Sequence, residues 1–186
     1  AYLALLPALL DESVLIKLFD GLREKGFEIS IDLVSVNNKT VFSRYIRPML
    51  PYIDYVIIND VEAKILTDKE DLPSDKENLA MIARQILSQG VRNTVIVHYP
   101  QWAVACNRQG EEVAVPSYWV EKKDIVSTLG AGDAFCAGTL YGVHQQLPLQ
   151  DVLKLGHGLA YFNLISISAT DGAVSYGQVK AFQQQQ

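Results

Sequence analysis

Cysteine is nearly absent: the 186 residues hold only Cys106 and Cys136, with no C-x-x-C spacing. Neither a disulfide framework nor a zinc site is therefore indicated, and a reducing, cytoplasmic setting fits. The three histidines, His98, His144 and His157, are scattered without metal-ligand spacing. Positive charge is also in short supply, 16 Lys and Arg against 21 Asp and Glu for a net charge of −5. No Lys/Arg cluster is interleaved with aromatics, which excludes the usual form of a nucleic-acid surface. No apolar run approaches the roughly 20 residues of a membrane-spanning helix. There is no initiating Met and no basic leader before a small-residue cleavage site. The apolar start, Ala1-Tyr2-Leu3-Ala4-Leu5-Leu6-Pro7-Ala8-Leu9-Leu10, reads instead as the end of an internal strand and its following loop. What remains is ordinary for a globular domain, at 49% hydrophobic and 20% charged residues. The length suits one domain with a sizeable core.

Strand and helix patterns alternate along the chain. Residues 13–25 predict an amphipathic helix with Val14, Leu15, Leu18, Phe19 and Leu22 on one face and Gly26 as its stop. A strand is expected over 27–36, a helix over 41–50 closed by Pro51, and a strand over 55–58 followed by a short helix at 61–66. A capped helix over 75–88 precedes strands near 94–97, 102–106 and 112–115, and two helices follow at 131–145 and 149–164. Such alternation argues for a mostly parallel sheet covered by helices on both faces, a three-layer α/β sandwich. Ala134, Gly138 and Gly142 form a small-residue ridge, expected to pack against another helix rather than touch a nucleotide. Cys136, Trp102 and Trp119 are expected to be packing groups, and the terminal glutamines a frayed end.

The chemistry concentrates in Val126-Ser127-Thr128-Leu129-Gly130-Ala131-Gly132-Asp133-Ala134-Phe135. Gly130 and Gly132 let backbone amides approach a ligand closely, and the run after them has helical spacing. A helix start carries unpaired N–H donors and the positive end of the macrodipole, which suits a phosphate or an oxyanion. An Asp in that turn complements the dipole of any helix. Two glycines immediately before it favour a working site, because a simple cap needs only one side-chain oxygen. Earlier, the apolar run Tyr55-Val56-Ile57-Ile58 reads as a buried parallel strand with Asn59 at its carboxyl end, where open α/β sheets bind ligands. Asn59 with Glu62 three residues on is equally a capping-box helix start, and Ser74 with Glu77 repeats the spacing with no implied chemistry.

Thr128 with Gly130-Ala131-Gly132-Asp133 resembles the D-T-x-G-A-G-D signature of the ribokinase-like (PfkB) carbohydrate kinases, and Asn59 with Glu62 resembles their N-x-x-E element. The resemblance covers the C-terminal part of such a kinase, so residues 1–186 are expected to form a single α/β domain lacking the N-terminal part and the lid, with little activity on their own. It implies transfer of the γ-phosphate of ATP to a hydroxyl of a sugar or sugar-like substrate. Asp133 would be the general base, and Gly130, Ala131 and Gly132 the anion hole. Glu62 would act on Mg2+ through water, with Asn59, Thr128, His157 and Gly172 beside the nucleotide. His157 falls where the family often has Asn near the adenine; a hydrogen-bonded surface histidine is the competing reading. Gly172 lies in Ser168-Ala169-Thr170-Asp171-Gly172-Ala173, which resembles the family's late loop beside nucleotide and cation.

Two departures stand out. Ser127 replaces the Asp that often helps bind a monovalent cation, which puts potassium activation in question. Pro100 and Ala103 replace glycines of the V-T-x-G-x-x-G turn that approaches ATP. These departures motivate the alternative, a catalytically weak sugar- or nucleotide-binding protein retaining the kinase fold. A dinucleotide-binding oxidoreductase fits less well, since Phe135 stands where a third glycine is needed. The expected partners are small molecules, not nucleic acid or membrane, and a homodimer is a possible assembly.

Overall fold

The computed structural model of the chain describes residues 12–33 and 39–185. The strand end expected within 1–10 and the last part of the strand expected over 27–36 fall outside them. The chain divides into two compact units, Ala1–Ala114 and Val115–Gln186.

In the first unit, α1 (Glu12–Glu24) ends where Gly26, at φ +82°, turns the chain. Phe27 N–H bonds Leu22 O at 3.1 Å and Gly26 N–H bonds Arg23 O at 2.8 Å, the paired closure of a Schellman motif. The buried face of α1 is narrower than expected: Leu15 is buried and Phe19 packs against the core, while Val14 and Leu18 are exposed. The strand expected from residue 27 is reduced to β1 (Ser30–Ile31).

The single helix expected over 41–50 is three short pieces: α2 (Lys39–Val41), a π-helical turn Phe42–Ile46 and a 3-10 segment Arg47–Tyr52. Pro48 and Pro51 carry no N–H, so a continuous α ladder through them has no donors at two positions. Pro51 sits inside the segment rather than closing it. Burial of Phe42, Met49 and Leu50 holds this irregular backbone in place.

Next come β2 (Tyr55–Asn59), α3 (Asp60–Thr67), α4 (Lys76–Ser88), β3 (Thr94–His98), β4 (Trp102–Asn107) and β5 (Glu112–Pro116). The sheet order is β1-β2-β3-β4-β5. The ladders β1–β2 and β2–β3 are parallel and β3–β4 is an antiparallel hairpin, so the sheet is mixed. Val56, Ile58, Val95 and Val97 belong to one core cluster, and their alternating neighbours Ile57 and Ile96 are equally sealed from solvent. Both faces of the central strands are thus covered, which accounts for their unbroken apolar sequence. α4 is capped by Asp75, whose Oδ1 accepts from Asn78 N at 2.8 Å, and not by Ser74. The Ser74 hydroxyl is taken up instead by Asp60 and Lys64.

The second unit contains α5 (Ala131–His144), α6 (Leu149–Leu164) and α7 (Tyr176–Gln183). The small-residue ridge is a packing surface: a Cβ on Gly138 would stand 2.8 Å from Leu155 O, and one on Gly142 would stand 3.1 Å from Val152 Cα. The α7 helix was not expected. Its signal is the capping box of Ser175 and Gln178; of the glutamines expected to fray, Gln183 closes this helix, Gln184 and Gln185 lie beyond it, and Gln186 falls outside the described residues. Phe182 of α7 stacks on Tyr161 of α6 at 4.4 Å between ring centroids. Cys136 is buried, as expected of a small core residue, whereas Trp119 is 83% exposed and packs nothing away.

Candidate active site

Gly130 is the N-cap of α5 and holds φ +81°, a left-handed conformation that reverses the chain into the helix. A Cβ there would meet Ala169 at 2.7 Å, so glycine is required both by backbone conformation and by space. No side chain caps this helix start. In α3, α4 and α7 a first-turn amide is bonded by Asn59, Asp75 and Ser175, whereas α6, entered through Pro148, has no side-chain cap either. The α5 end keeps donors aimed outward, with Gly132 and Asp133 both exposed. The first turn is closed by Ala134 N–H to Gly130 O at 2.8 Å, while Ala131 N–H makes a long 3.3 Å contact with Thr128 O. Asp133 lies in this turn, the only acidic residue there.

The approach to the cradle is tied down by short side chains. Ser127 Oγ accepts from Leu129 N at 3.1 Å, so the residue standing in place of the family's Asp makes a local turn. Val126 N–H and Ser127 N–H both point to Leu164 O, at 2.9 and 3.3 Å. On the far side, Asn163 Nδ2 donates to Ala169 O at 2.9 Å, and Gly172 is pressed against the Asn163 backbone, where a Cβ would meet Asn163 Cα at 2.6 Å. Thr128 is exposed and Gly172 buried. His157 is turned inward: it is 5% exposed, its Nε2 lies 3.3 Å from Val115 O, and its ring meets Phe135 edge-on at 5.1 Å. A surface histidine it is not.

In the first unit, Asn59 and Glu62 realise the capping box in full. Glu62 N–H bonds Asn59 Oδ1 at 2.9 Å and Asn59 N–H bonds Glu62 Oε2 at 3.1 Å. Glu62 is only 1% exposed. The structural role is therefore occupied, and it fixes one carboxylate at the carboxyl end of β2. His98 is the ladder partner of Asn59. Burial lowers its pKa to about 4, against the opposing charge of Asp60, so the imidazole is neutral at physiological pH. Tyr99, Gln101 and Trp102, after β3, border a groove of about 420 Å³ shared with Ser74 and Glu77. Lys76 Nζ sits 5.4 Å over the Trp102 ring. Among the described residues no group of three or more His, Cys, Asp or Glu side chains is placed to hold a metal. A single buried carboxylate is nevertheless the modest protein contribution expected for Mg2+, which keeps most of its waters and leans on phosphate oxygens. No helix among the described residues is long and apolar enough to cross a membrane.

A mixed sheet with parallel ladders, flanked by helices, defines an α/β protein. The chain belongs to the pfkB family of carbohydrate kinases, whose family model matches residues 1–174. It is 31% identical to an adenosine kinase of Schizophyllum commune over 68% of its own length and 39% of that protein's. It is 34% identical to a ribokinase of Schizosaccharomyces pombe over 57% of its length and 33% of that protein's. The fold is similar to a 2-dehydro-3-deoxygluconokinase of Thermotoga maritima (TM-score 0.76, 16% identity, 93% of this chain and 55% of that one). It is also similar to an E. coli putative ribokinase II solved with ATP and Mg2+ (TM-score 0.74, 19% identity, 93% and 54%). The chain thus spans between a third and two fifths of these curated relatives and about half of these solved structures.

Proposed function

We propose that the protein transfers the γ-phosphate of ATP to a hydroxyl of a sugar or sugar-like substrate, with residues 1–186 as the C-terminal part of one kinase domain. The observation that carries this reading is the α5 start: a left-handed Gly130, no capping side chain, and an exposed Asp133 in the same turn. The amides of Gly130, Ala131 and Gly132 would hold negative charge on the transferring phosphate, where fixed dipoles need no reorganisation during reaction. Asp133 would take the proton from the attacking hydroxyl, a contribution of about 10²–10⁴-fold. Its carboxylate enters no hydrogen bond or ion pair among the described residues, so it is available for that task. Thr128 supports the turn through its carbonyl. Asn59 and Glu62 would serve the nucleotide side, Glu62 acting on Mg2+ through water, where the ion neutralises phosphate charge. The inward ring of His157 and the packed Gly172 support a framing role beside the nucleotide rather than direct contact. Ser127, lacking a carboxylate, favours weak potassium dependence. A cytoplasmic setting and a homodimer belong to the same proposal.

The test is Asp133→Asn in the natural gene product. Asn cannot accept the proton, yet it keeps the size of Asp, so stability should change by no more than about 1 kcal/mol. Turnover should fall by roughly 10²-fold or more with ATP affinity retained. A folded variant with full turnover removes Asp133 from the chemistry. The second reading is a weak sugar- or nucleotide-binding protein, which rests on Ser127 and on the Pro100 turn; absence of any purine-nucleotide binding by the parent protein counts against phosphotransfer and leaves the sugar-binding form of that reading.

A further inference from the structure

Asn163 enters no motif, yet it sits at the junction of every segment that shapes the α5 start. It is the second-last residue of α6 and is 1% exposed. Its carbonyl accepts from Ser166 N–H at 3.0 Å, its Nδ2 donates to Ala169 O at 2.9 Å, and its backbone packs against Gly172. Ala169, held in this way, fills the space a side chain on Gly130 would need. The next residue, Leu164, offers the carbonyl that receives Val126 and Ser127 N–H. The Asn163 Oδ1 atom, however, is buried with no hydrogen-bond partner. A buried amide with one satisfied and one orphaned end is a poor choice for stability, because the orphan is desolvated without return. An apolar residue of the same size would remove that orphan but leave Ala169 O without its donor, at a net cost in stability.

We infer that Asn163 is a positioning residue: by clamping Ala169 against Gly130 it fixes the geometry of the phosphate-holding turn 128–132. This rests on the phosphotransferase reading for its consequence in catalysis, but the clamp itself is a statement about backbone geometry. Misplacing preorganised donors by a fraction of an ångström weakens charge stabilisation in the transition state more than ground-state binding.

The test is Asn163→Leu, read first by amide hydrogen exchange in the absence of nucleotide. The reporter is the Ala134 amide, whose bond to Gly130 O closes the first turn of α5. Its exchange should accelerate by about 10-fold or more, while amides in the middle of α5, such as those of Thr139 and Leu140, keep their protection. Loss of that one bond should lower the melting temperature by about 3–10 °C while a single cooperative transition is kept. Turnover is the second readout: kcat with Mg·ATP should drop about 10-fold, with KM for ATP changed less than about 3-fold. Unchanged exchange at Ala134 overturns the inference, as does acceleration spread evenly along α5 and α6, which marks a merely structural residue. If Asn163→Leu does not fold, Ala169→Gly removes the abutting methyl and should give the same selective acceleration; no effect there refutes the clamp. A parent protein without turnover whose variant still shows selective exchange sinks the phosphotransferase reading and keeps the positioning role.

Discussion

Replacing Gly130 with Ala places a single methyl where two physical effects oppose it. At φ +81° a residue with a Cβ costs about 1–2 kcal/mol relative to glycine. The methyl would also lie 2.7 Å from Ala169 Cβ, 2.8 Å from Ala169 Cα and 3.0 Å from Ala169 O. Two of these atoms are backbone, so no rotamer change relieves the overlap, and overpacking of this kind adds about 1–3 kcal/mol. The sum, about 2–5 kcal/mol, corresponds to a fall in melting temperature of very roughly 5–15 °C at this chain length. If the loop carrying Ala169 yields instead, stability suffers less but the cradle opens. Either route should abolish the ATP-dependent rise in melting temperature. Gly177→Ala is the control, since nothing lies within 4 Å of its Cβ position in α7, and it should leave stability unchanged or raise it by up to about 1 kcal/mol. Scanning calorimetry of both variants with and without Mg·ATP decides the matter. A Gly130→Ala protein that melts with the parent and binds ATP equally well refutes the claim that this left-handed turn and its contact are needed.

Glu62→Gln should keep the capping box, with stability within about 1 kcal/mol, while shrinking the magnesium-dependent part of the thermal shift by ATP. An unaltered shift would confine Glu62 to the cap. Potassium should activate the parent weakly, and Ser127→Asp should increase that activation at constant ionic strength; strong activation of the parent contradicts the reading of Ser127. His98 is lowered by burial from 6.5 to about 4, so on acidification the unfolded chain takes up the proton first. Stability should therefore fall between pH 6.5 and 4, by up to about 1.4 kcal/mol per pH unit. His98→Gln should flatten that part of the curve, and parallel curves for the two proteins would exclude His98 as the cause.

The elements most legible in the sequence are those whose ends carry their own chemistry. Gly26 after α1 and the Asn59 start of α3 mark boundaries because left-handed closure and amide capping are local demands. The helix expected over 41–50 breaks into short pieces because its apolar spacing is helical while Pro48 and Pro51 deny it the hydrogen bonds. Exposure of Val14, Leu18 and Trp119 could not be read, since periodicity says which residues share a face but not what lies opposite. In the candidate site, the helix start at Gly130 is legible from the spacing of Gly130 and Gly132 before a helical run. Asn59 and Glu62 remained two-valued, and the structure explains why: the atoms that cap α3 are the same atoms the family element would use. Asn163 left no trace, because its importance comes from Ala169, six residues away across a loop.

The end of α6 also imposes a constraint on length. The backbone carbonyls of Phe162, Asn163 and Leu164 each accept from a different donor: the Ser166 hydroxyl, the Ser166 N–H, and the Val126 and Ser127 amides. Successive helical residues lie about 100° apart around the axis, so these three carbonyls sit at different sides of the helix end. Adding or deleting one residue in α6 would carry the Ser166 attachments along with the helix end but turn Leu164 O away from the Val126 and Ser127 amides, whatever the identity of the inserted side chain. Substitutions along α6 can be absorbed singly, but its phase cannot drift. Insertions in descendants of this chain should therefore collect in the 145–148 connection before α6 or beyond residue 173, and not within the helix.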